Sequence, residues 1–349
     1  MPTIYKRNCE YCGRYYEGFG RRFCSYACRA DGMRRKPQNG SSPAPTPAPA
    51  EEPPKTDEFW TYLDKNRKEE VNWRELFNLA ENHQSINLKL SSAQEVARVK
   101  VHTDRRYFAV VFTADWHGGS VATDYKMLRH YLDLILQNDL HIITLGDLND
   151  NFRKFKSLEA IFSQALNPAQ QMELLASIVK EFAARRKWLA ACWGNHDVSW
   201  DEKNFGQSPV KTLLGKHFVY FNGKGLLKLK VNDQEYNIGM SHVFRGHSMY
   251  NPTHALIRAI KQDFGAANVD VVAQGDKHNY SYQWFNPFGE LFGGRPCHFI
   301  QVGTFKTEDG YSKRFWGKGE IGLPTILFDS RSHESHWFQT PEMALKFMK

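Results

Sequence analysis

From Arg106 onward, short apolar runs alternate with amphipathic stretches along this chain. YFAVVFTA, HIITL and KWLAACW are short apolar runs of strand length. Between the first two, Leu128 and Ile135 fall on one face of a predicted helix. A second helix is predicted to begin at Asn167 and Pro168, an N-cap residue followed by proline in the first turn. This alternation predicts parallel strands in an α/β layered fold.

After Lys216 the pattern becomes rich in strands. HFVYF, GLLKLKV and EYNIGMSH predict three strands, and a helix is predicted from about Thr253 to Phe264. VDVVAQ, HFIQVG and PTILFD predict three more strands, and the sequence shows no internal repeat. We therefore expect one large α/β domain over residues 101–349.

The segment before this domain differs in composition. Residues 37–56 hold 7 of the 15 prolines and no large apolar side chain, which predicts a semi-extended linker. Within residues 57–100, apolar positions at helical spacing predict two short helices that end near Asn82. These helices would pack on the large domain or act as an adaptor.

The first 36 residues hold a basic excess, with nine lysines and arginines against three acidic residues, within a net charge of +8. A localised excess of this kind favours nucleic acid or another polyanion as a partner. A solvated positive face without a ligand is the alternative. The arginines that we expect to contact the phosphate backbone are Arg21, Arg22, Arg29, Arg34 and Arg35.

The same 36 residues contain two close pairs of cysteines, Cys9 with Cys12 and Cys24 with Cys28. Four thiolates suit tetrahedral Zn²⁺, and so short a segment needs such a ligand to hold its fold. A pair of disulfides is the alternative, although nothing in the sequence indicates an oxidising compartment. The string CEYCGRYYEGFGRRFCSYACR resembles treble-clef fingers of the FCS kind, so we expect a four-cysteine zinc finger over residues 1–36.

Two further cysteines lie in the large domain. Cys192 falls in a predicted core strand, and Cys297 precedes another apolar run. We expect both to be apolar fillers.

Polar motifs follow five of the predicted strands, where open α/β sheets place their sites. Any one of them could be a set of hydrogen-bonded structural residues, but five in order indicate a metal site. The candidate residues are Asp115, His117, Asp147, Asp150, Asn195, His196, His242, Asp276 and His278.

The order of these motifs over residues 106–330 resembles the calcineurin-like metallophosphoesterase superfamily, which implies a four-layer α/β/β/α sandwich. The resemblance implies that Asp115, His117 and His278 hold one metal ion, and that Asn195 and His242 hold a second. It also implies further roles for three residues: Asp147 bridges the two ions, His196 lies beside the substrate, and Asp150 orients His196.

The chemistry of these residue types is coherent. Two divalent ions about 3.5 to 4 Å apart can hold a hydroxide for in-line attack on a phosphoester. A histidine such as His196 can protonate the departing oxygen as a general acid. Glycines before Asp147, Asn195 and Asp276 would allow sharp backbone exits from the strands.

Asp276 departs from the family pattern, in which a histidine stands at this position. Its carboxylate could still bind the second ion, and its hard oxygen favours Mn²⁺ or Mg²⁺. It would also raise the pKa of the bridging water, and a weakly occupied second site is the other outcome.

Two loops leave alternatives open. His242 and His247 are both candidates for the lone histidine ligand, and we favour His242 because it ends its strand directly. Arg245 and His247 fall in the loop after it, where they would instead meet the phosphate. Residues 304–319 are rich in basic and aromatic side chains, which would line a nucleic-acid groove or form a solvated loop.

Three functions fit these features. The finger, the linker and this domain together resemble phage or prophage DNA-exonuclease-like proteins, which favours a metal-dependent DNA phosphodiesterase or nuclease. A phosphatase or phosphodiesterase on nucleotides, other small phosphoesters or phosphoproteins is the second hypothesis. A catalytically silent nucleic-acid-binding protein is the third. With no signal peptide or membrane span apparent in the sequence, we expect a cytoplasmic protein with no membrane partner.

Overall fold

The computed structural model describes residues 5–8, 15–18, 73–91, 96–151, 163–246, 248, 250–264, 268–288, 295–307 and 319–349. The strands are β1 (Tyr5–Asn8), β2 (Tyr15–Gly18), β3 (Val96–Val101), β4 (Tyr107–Thr113), β5 (Leu140–Thr144), β6 (Trp188–Cys192), β7 (Val219–Phe221), β8 (Gly225–Val231), β9 (Gln234–Ser241), β10 (Val271–Gln274), β11 (Ser281–Phe285), β12 (Cys297–Gln301), β13 (Thr325–Asp329) and β14 (Ser335–Phe338). The helices are α1 (Trp73–Ser91), α2 (Tyr125–Gln137), α3 (Pro168–Ala184), α4 (Trp200–Phe205), α5 (Pro209–His217), α6 (His254–Gln262) and α7 (Pro341–Phe347).

The chain divides into two compact units, Met1–Leu79 and Ala80–Lys349. The first unit contains the antiparallel pair β1–β2, with Asn8 opposite Tyr15. It also contains the start of α1, where the exposed rings of Trp73 and Phe77 meet edge to face at 5.8 Å. The four cysteines and five arginines of the expected zinc finger, and the linker over residues 37–56, lie outside the described residues.

The second unit contains two six-stranded sheets. One has the order β14-β13-β4-β5-β6-β7, in which β4, β5, β6 and β7 run parallel. The other has the order β11-β12-β10-β9-β8-β3, in which β9, β10 and β12 run parallel. Parallel neighbours bring the carboxyl ends of several strands to one edge of each sheet.

Buried side chains from both sheets form one shared core, in which Phe112 of β4 and Ile238 of β9 take part. On the outer face of the first sheet, a second core includes Leu132 of α2 and Val179 of α3. On the outer face of the second sheet, Leu256 of α6 lies in a third core. These layers confirm the predicted four-layer α/β/β/α sandwich.

The predicted start of α3 is confirmed in detail. The side chain of Asn167 accepts a hydrogen bond from the backbone N–H of Gln170, the Gln170 side chain accepts one from the backbone N–H of Asn167, and Pro168 occupies the first turn.

Cys192 and Cys297 are both buried, and burial raises the pKa of each thiol.

The segment 57–100, which we expected to be helical, ends differently. Its described helix is a single one of 19 residues, and residues 96–101 form β3, which pairs in parallel with β8. The sequence VARVKV alternates in burial, with Ala97, Val99 and Val101 turned toward the shared core. A period of two residues is typical of a strand.

No helix within the described residues is long and apolar enough to cross a membrane.

Candidate metal centre

Loops at the carboxyl ends of five strands bring the candidate residues together. Asp115 and His117 follow β4, Asp147 follows β5, and Asn195 follows β6. The other sheet supplies His242 directly after β9, and Asp276 and His278 just after β10. The donors therefore come from both sheets, across the edge where the parallel strands end.

The backbone at these positions is unusual. Eight described residues other than glycine have a positive φ angle, and five of them are candidate ligands: Asp115 (50°), His117 (46°), Asp147 (54°), Asp276 (68°) and His278 (57°). Such conformations cost on the order of 1 kcal/mol each and concentrate at functional sites. The surrounding sandwich must therefore hold this backbone in place.

The first group of donors consists of Asp115, His117 and His278. The Nδ1 atom of His117 donates to Oδ1 of Asp150 at 2.8 Å, which leaves the Nε2 lone pair of His117 directed into the group. That Nε2 atom lies 3.1 Å from Nε2 of His278, and Oδ1 of Asp115 lies 3.5 Å from Nε2 of His278. Three donor atoms thus converge on one point.

The second group surrounds His242. Its Nδ1 atom donates to the carbonyl oxygen of Leu145 at 2.6 Å, so its Nε2 atom faces the group. Oδ1 of Asn195 lies 2.8 Å from that Nε2 atom, Oδ2 of Asp147 lies 3.3 Å from it, and Oδ1 of Asp276 lies 3.8 Å from it. One carboxylate oxygen each from Asp115 and Asp147 and a nitrogen of His242 lie within 4.8 Å of one another.

The electrostatics of the centre favour positive charge. Burial lowers the pKa of His242, but Asp147, Asp115 and Asp276 outweigh burial and raise this pKa to about 10. Burial also acts to lower the pKa of His278, but the carboxylate of Asp115 outweighs burial, so this pKa is raised. The carboxylates at this edge therefore stabilise a proton or a cation among them.

A divalent metal fits these residues. Oδ1 of Asp115 is buried and makes no hydrogen bond among the described residues. The Nε2 atoms of His117 and His278 lie 3.9 and 3.5 Å from it. Burial lowers the pKa of His117 to about 4, so its ring is neutral and can offer a lone pair. A buried carboxylate oxygen without a hydrogen bond, beside the neutral imidazole of His117, is the chemistry of a metal ligand set.

Asp150 and His196 meet in a different way from our expectation. We expected the carboxylate of Asp150 to orient His196, but the contact is made by the backbone carbonyl oxygen of Asp150, 2.6 Å from Nδ1 of His196. The carboxylate instead accepts from His117 and lies 3.9 Å from Nδ1 of His196. Asp150 therefore contacts both a candidate ligand and the candidate acid.

Several residues of the centre were missed by sequence reasoning. Lys306 Nζ lies 3.1 Å from Oδ1 of Asp150, and Gln164 Nε2 donates to Oδ2 of Asp150 at 2.6 Å. Asp197 accepts from the backbone N–H groups of Leu148 and Asn149 and so fixes the loop after β5. Lys306 carried a signal only as one of many cations in residues 304–319, while the sequence GNHD contained Asp197 without indicating its role.

Two glycines of the motifs have distinct structural reasons. Gly146 has a φ of +91°, a backbone conformation that favours glycine. Gly194 has an ordinary φ, but a Cβ atom there would lie 2.2 Å from the backbone nitrogen of Asp147. Close packing of two loops, and not an unusual φ, therefore requires glycine at position 194.

Other expected contacts fall at the limits of the described chain. Arg245 is exposed in the loop after His242, and His247 lies outside the described residues. Within residues 304–319, residues 308–318 also lie outside them. Thr304 and Phe305 both donate to the carbonyl oxygen of Asp115, so the start of this segment supports the centre.

Comparison with known families gives a match that covers the metal centre. A family model described as calcineurin-like phosphoesterase matches residues 108–287, just over half of the chain. These residues include all of the candidate ligands. No curated protein matches the chain significantly.

Similar solved structures share little sequence with this chain. A predicted phosphoesterase from Streptococcus pneumoniae is 12% identical, with a TM-score of 0.33, over 67% of this chain and 90% of its own. Vps29 of Entamoeba histolytica, complexed with Zn²⁺, is 12% identical, with a TM-score of 0.32, over 66% and 98%. A metallophosphoesterase from Sphaerobacter thermophilus is 15% identical, with a TM-score of 0.32, over 66% and 88%.

Proposed function

The chain belongs to the calcineurin-like phosphoesterase family and is a metal-dependent phosphoesterase, and we propose that it cleaves the phosphodiester backbone of DNA. The observation that carries the activity is the convergence of two groups of donor atoms, from two sheets, around the carboxylates of Asp115 and Asp147. Bound there, two divalent ions (Mn²⁺, or alternatively Mg²⁺) would supply Lewis acidity and an activated water.

The residues of the chain divide the remaining work. Asp115, His117 and His278 would hold one ion, Asn195, His242 and Asp276 the second, and Asp147 would contact both. His196 would protonate the leaving oxygen, because its Nδ1 atom is held by the Asp150 carbonyl and its side chain is 22% exposed.

The choice of DNA is supported by charge. Lys277 and Lys306 lie beside the centre, paired with Asp276 and Asp150, and offset the negative charge of these carboxylates where a phosphodiester would approach. The basic excess of the first 36 residues would hold a polyanion near the centre, with one structural Zn²⁺ bound by Cys9, Cys12, Cys24 and Cys28.

One assay separates the candidate functions. The purified chain is incubated with Mn²⁺ and, in parallel, labelled single- and double-stranded DNA, bis-p-nitrophenyl phosphate and p-nitrophenyl phosphate. The proposal expects DNA cleavage that His196→Ala and Asp147→Asn both reduce by about 100-fold or more. Monoester turnover without DNA cleavage would support a small-phosphoester enzyme, and DNA retention without any turnover would support a silent binding protein.

The basic amino-terminal segment has its own test. Replacing Arg21, Arg22, Arg29, Arg34 and Arg35 with glutamine should weaken DNA binding and reduce its salt dependence. Turnover of bis-p-nitrophenyl phosphate should stay unchanged, because this small diester needs only the metal centre. An equal loss of both activities would contradict a role in holding DNA.

A further inference from the structure

A groove of about 1310 Å³ lies between β3 and β7, the edge strands of the two sheets. Val99 and Val101 of β3, Leu189 of β6 and Val219 of β7 give it an apolar floor. We call it the edge groove. Its volume exceeds the roughly 300 to 1,000 Å³ typical of small-molecule pockets, which favours an extended ligand.

The charge around the edge groove is strongly positive. Lys100, Arg186, Lys211 and Lys216 line it, and Glu202 is the one acidic residue among its described lining. Glu202 already pairs with Lys211 at 2.6 Å. Within the described chain, the other three cations make no ion pair, so no described carboxylate balances their charge.

The edge groove is separate from the metal centre. His141 and Trp188, which line it, stand near the amino ends of β5 and β6. Asp147 and Asn195 follow the carboxyl ends of the same strands. A five-residue strand spans about 16 Å, so a ligand in the groove would not touch the candidate metal ligands.

Two polar atoms in the lining have no hydrogen-bond partner in the part of the chain that the structure describes. Nδ1 of His141 and the hydroxyl of Tyr220 are buried and make no hydrogen bond among the described residues. Such atoms cost free energy unless a ligand or water meets them. We propose that the edge groove binds the phosphate backbone of a nucleic-acid strand, a second contact that rests on the proposed function only for the choice of polyanion.

The test measures binding by the full chain without cleavage. In an Asp147→Asn background, fluorescence anisotropy follows a labelled single-stranded 20-mer from 50 to 300 mM salt. Lys100→Glu with Lys216→Glu is compared with Arg258→Glu and Lys261→Glu, an equal charge change on exposed positions of α6. We expect about a tenfold or greater loss of affinity in the groove variant and a log–log salt slope reduced by about 1.4, since each lost contact is worth about 0.7.

Other outcomes overturn the proposal. Equal losses in both variants would mean that net charge alone governs binding. Unchanged affinity with a lower melting temperature in the groove variant would mean that Lys100 and Lys216 only stabilise the fold, Lys216 by complementing the carboxyl end of α5. Poly-glutamate is tested as a second ligand. If the groove variant binds poly-glutamate more weakly but binds DNA with unchanged affinity, the edge groove is a site for an acidic polypeptide.

The edge groove and the proposed function can fail separately. Each groove variant is also made with Asp147 intact and assayed on bis-p-nitrophenyl phosphate, whose turnover should stay within about twofold of the unmodified chain. If the groove variant loses DNA affinity but the unmodified chain cleaves no DNA, the edge groove is supported and the nuclease proposal is rejected. If the unmodified chain cleaves DNA but the groove variant binds DNA with unchanged affinity, the nuclease proposal is supported and the edge groove is rejected. Lys100→Gln with Lys216→Gln, a milder pair, should give a smaller loss in the same direction.

Discussion

The Nε2 atoms of His117 and His278 lie 3.1 Å apart, while Nδ1 of His117 is held by Asp150 at 2.8 Å. The His117 ring therefore offers a lone pair to its neighbour, and a proton on His278 or a metal ion must lie between the two nitrogens. This relationship makes the centre a place where protons and metal ions compete.

Metal binding should release protons. The pKa of His242 is raised to about 10, so this ring holds a proton at neutral pH before a metal binds, and Asp115 raises the pKa of His278 as well. The affinity for Mn²⁺ should therefore increase with pH from about 6 to about 9. Calorimetry in two buffers of different ionisation enthalpy measures the released protons, and identical heats in both buffers would contradict this competition.

Gly194→Ala should abolish metal binding without unfolding the chain. The added Cβ would lie 2.2 Å from the nitrogen and 2.5 Å from Oδ1 of Asp147, so the loop after β5 must shift. We expect a destabilisation of ~1 to 3 kcal/mol and a loss of bound Mn²⁺ on equilibrium dialysis. Gly215→Ala in α5 is the control, because its nearest atom is 3.9 Å away; equal metal binding by the two variants would count against the prediction.

Lys306→Met should weaken metal binding at the centre, although Lys306 is not itself a candidate ligand. Its ammonium group lies 3.1 Å from Oδ1 of Asp150, and both side chains are largely buried. Loss of this charged contact should lower the free energy of unfolding by ~2 kcal/mol and reduce Mn²⁺ affinity through His117. Urea denaturation and calorimetry measure the two effects. Lys306→Arg should restore most of both, and a failure to do so would show that packing, not charge, is lost.

Acid should destabilise the fold through buried histidines outside the centre. Burial lowers the pKa of His141 and of His298 to about 4, whereas an unfolded chain titrates near 6.5. Between these values the unfolded chain binds more protons, so stability should fall as the pH is lowered from about 6.5 to about 4. Urea denaturation at pH 7 and at pH 5 measures the free energy of unfolding. Between these two pH values His298→Gln should lose less of it than the unmodified chain, and equal losses would argue against a contribution from His298.

Asp276→His should change the metal preference. The Asp276 carboxylate directs Oδ1 toward His242, at 3.8 Å, and Oδ2 toward Lys277, at 2.7 Å. Replacing this oxygen donor with a nitrogen donor should shift bound metal from Mn²⁺ toward Zn²⁺. Elemental analysis after dialysis against equal concentrations of both ions measures the ratio, and an unchanged ratio would mean that Asp276 is not a ligand.

Sequence patterns predicted the elements that are long, buried and regular. The strand before Asp115 and the helix after Asn167 were both predictable, because local periodicity and capping chemistry suffice to define them. The placement of candidate ligands after parallel strands followed from the same reasoning, since these strands end at one edge of a sheet.

The missed features depend on contacts between distant residues. β3 and β11 are short edge strands with half-exposed residues, so neither forms a clear apolar run. The path of the loop after β5 depends on Asp197, 49 residues from Leu148. Lys306 reaches Asp150 across 156 residues. No local pattern encodes such pairs, and the positive φ angles of the ligands are equally invisible in the sequence.

The division of the donor residues between the two sheets has a mechanical consequence. Asp115 and His117 leave one sheet, while His242 and His278 leave the other, and the shared apolar core packs the two sheets together. An ion held by both sets would cross-link the sandwich at one rim. Chelation should therefore speed amide hydrogen exchange near Thr113 and Gln274 and leave the opposite rim unaffected.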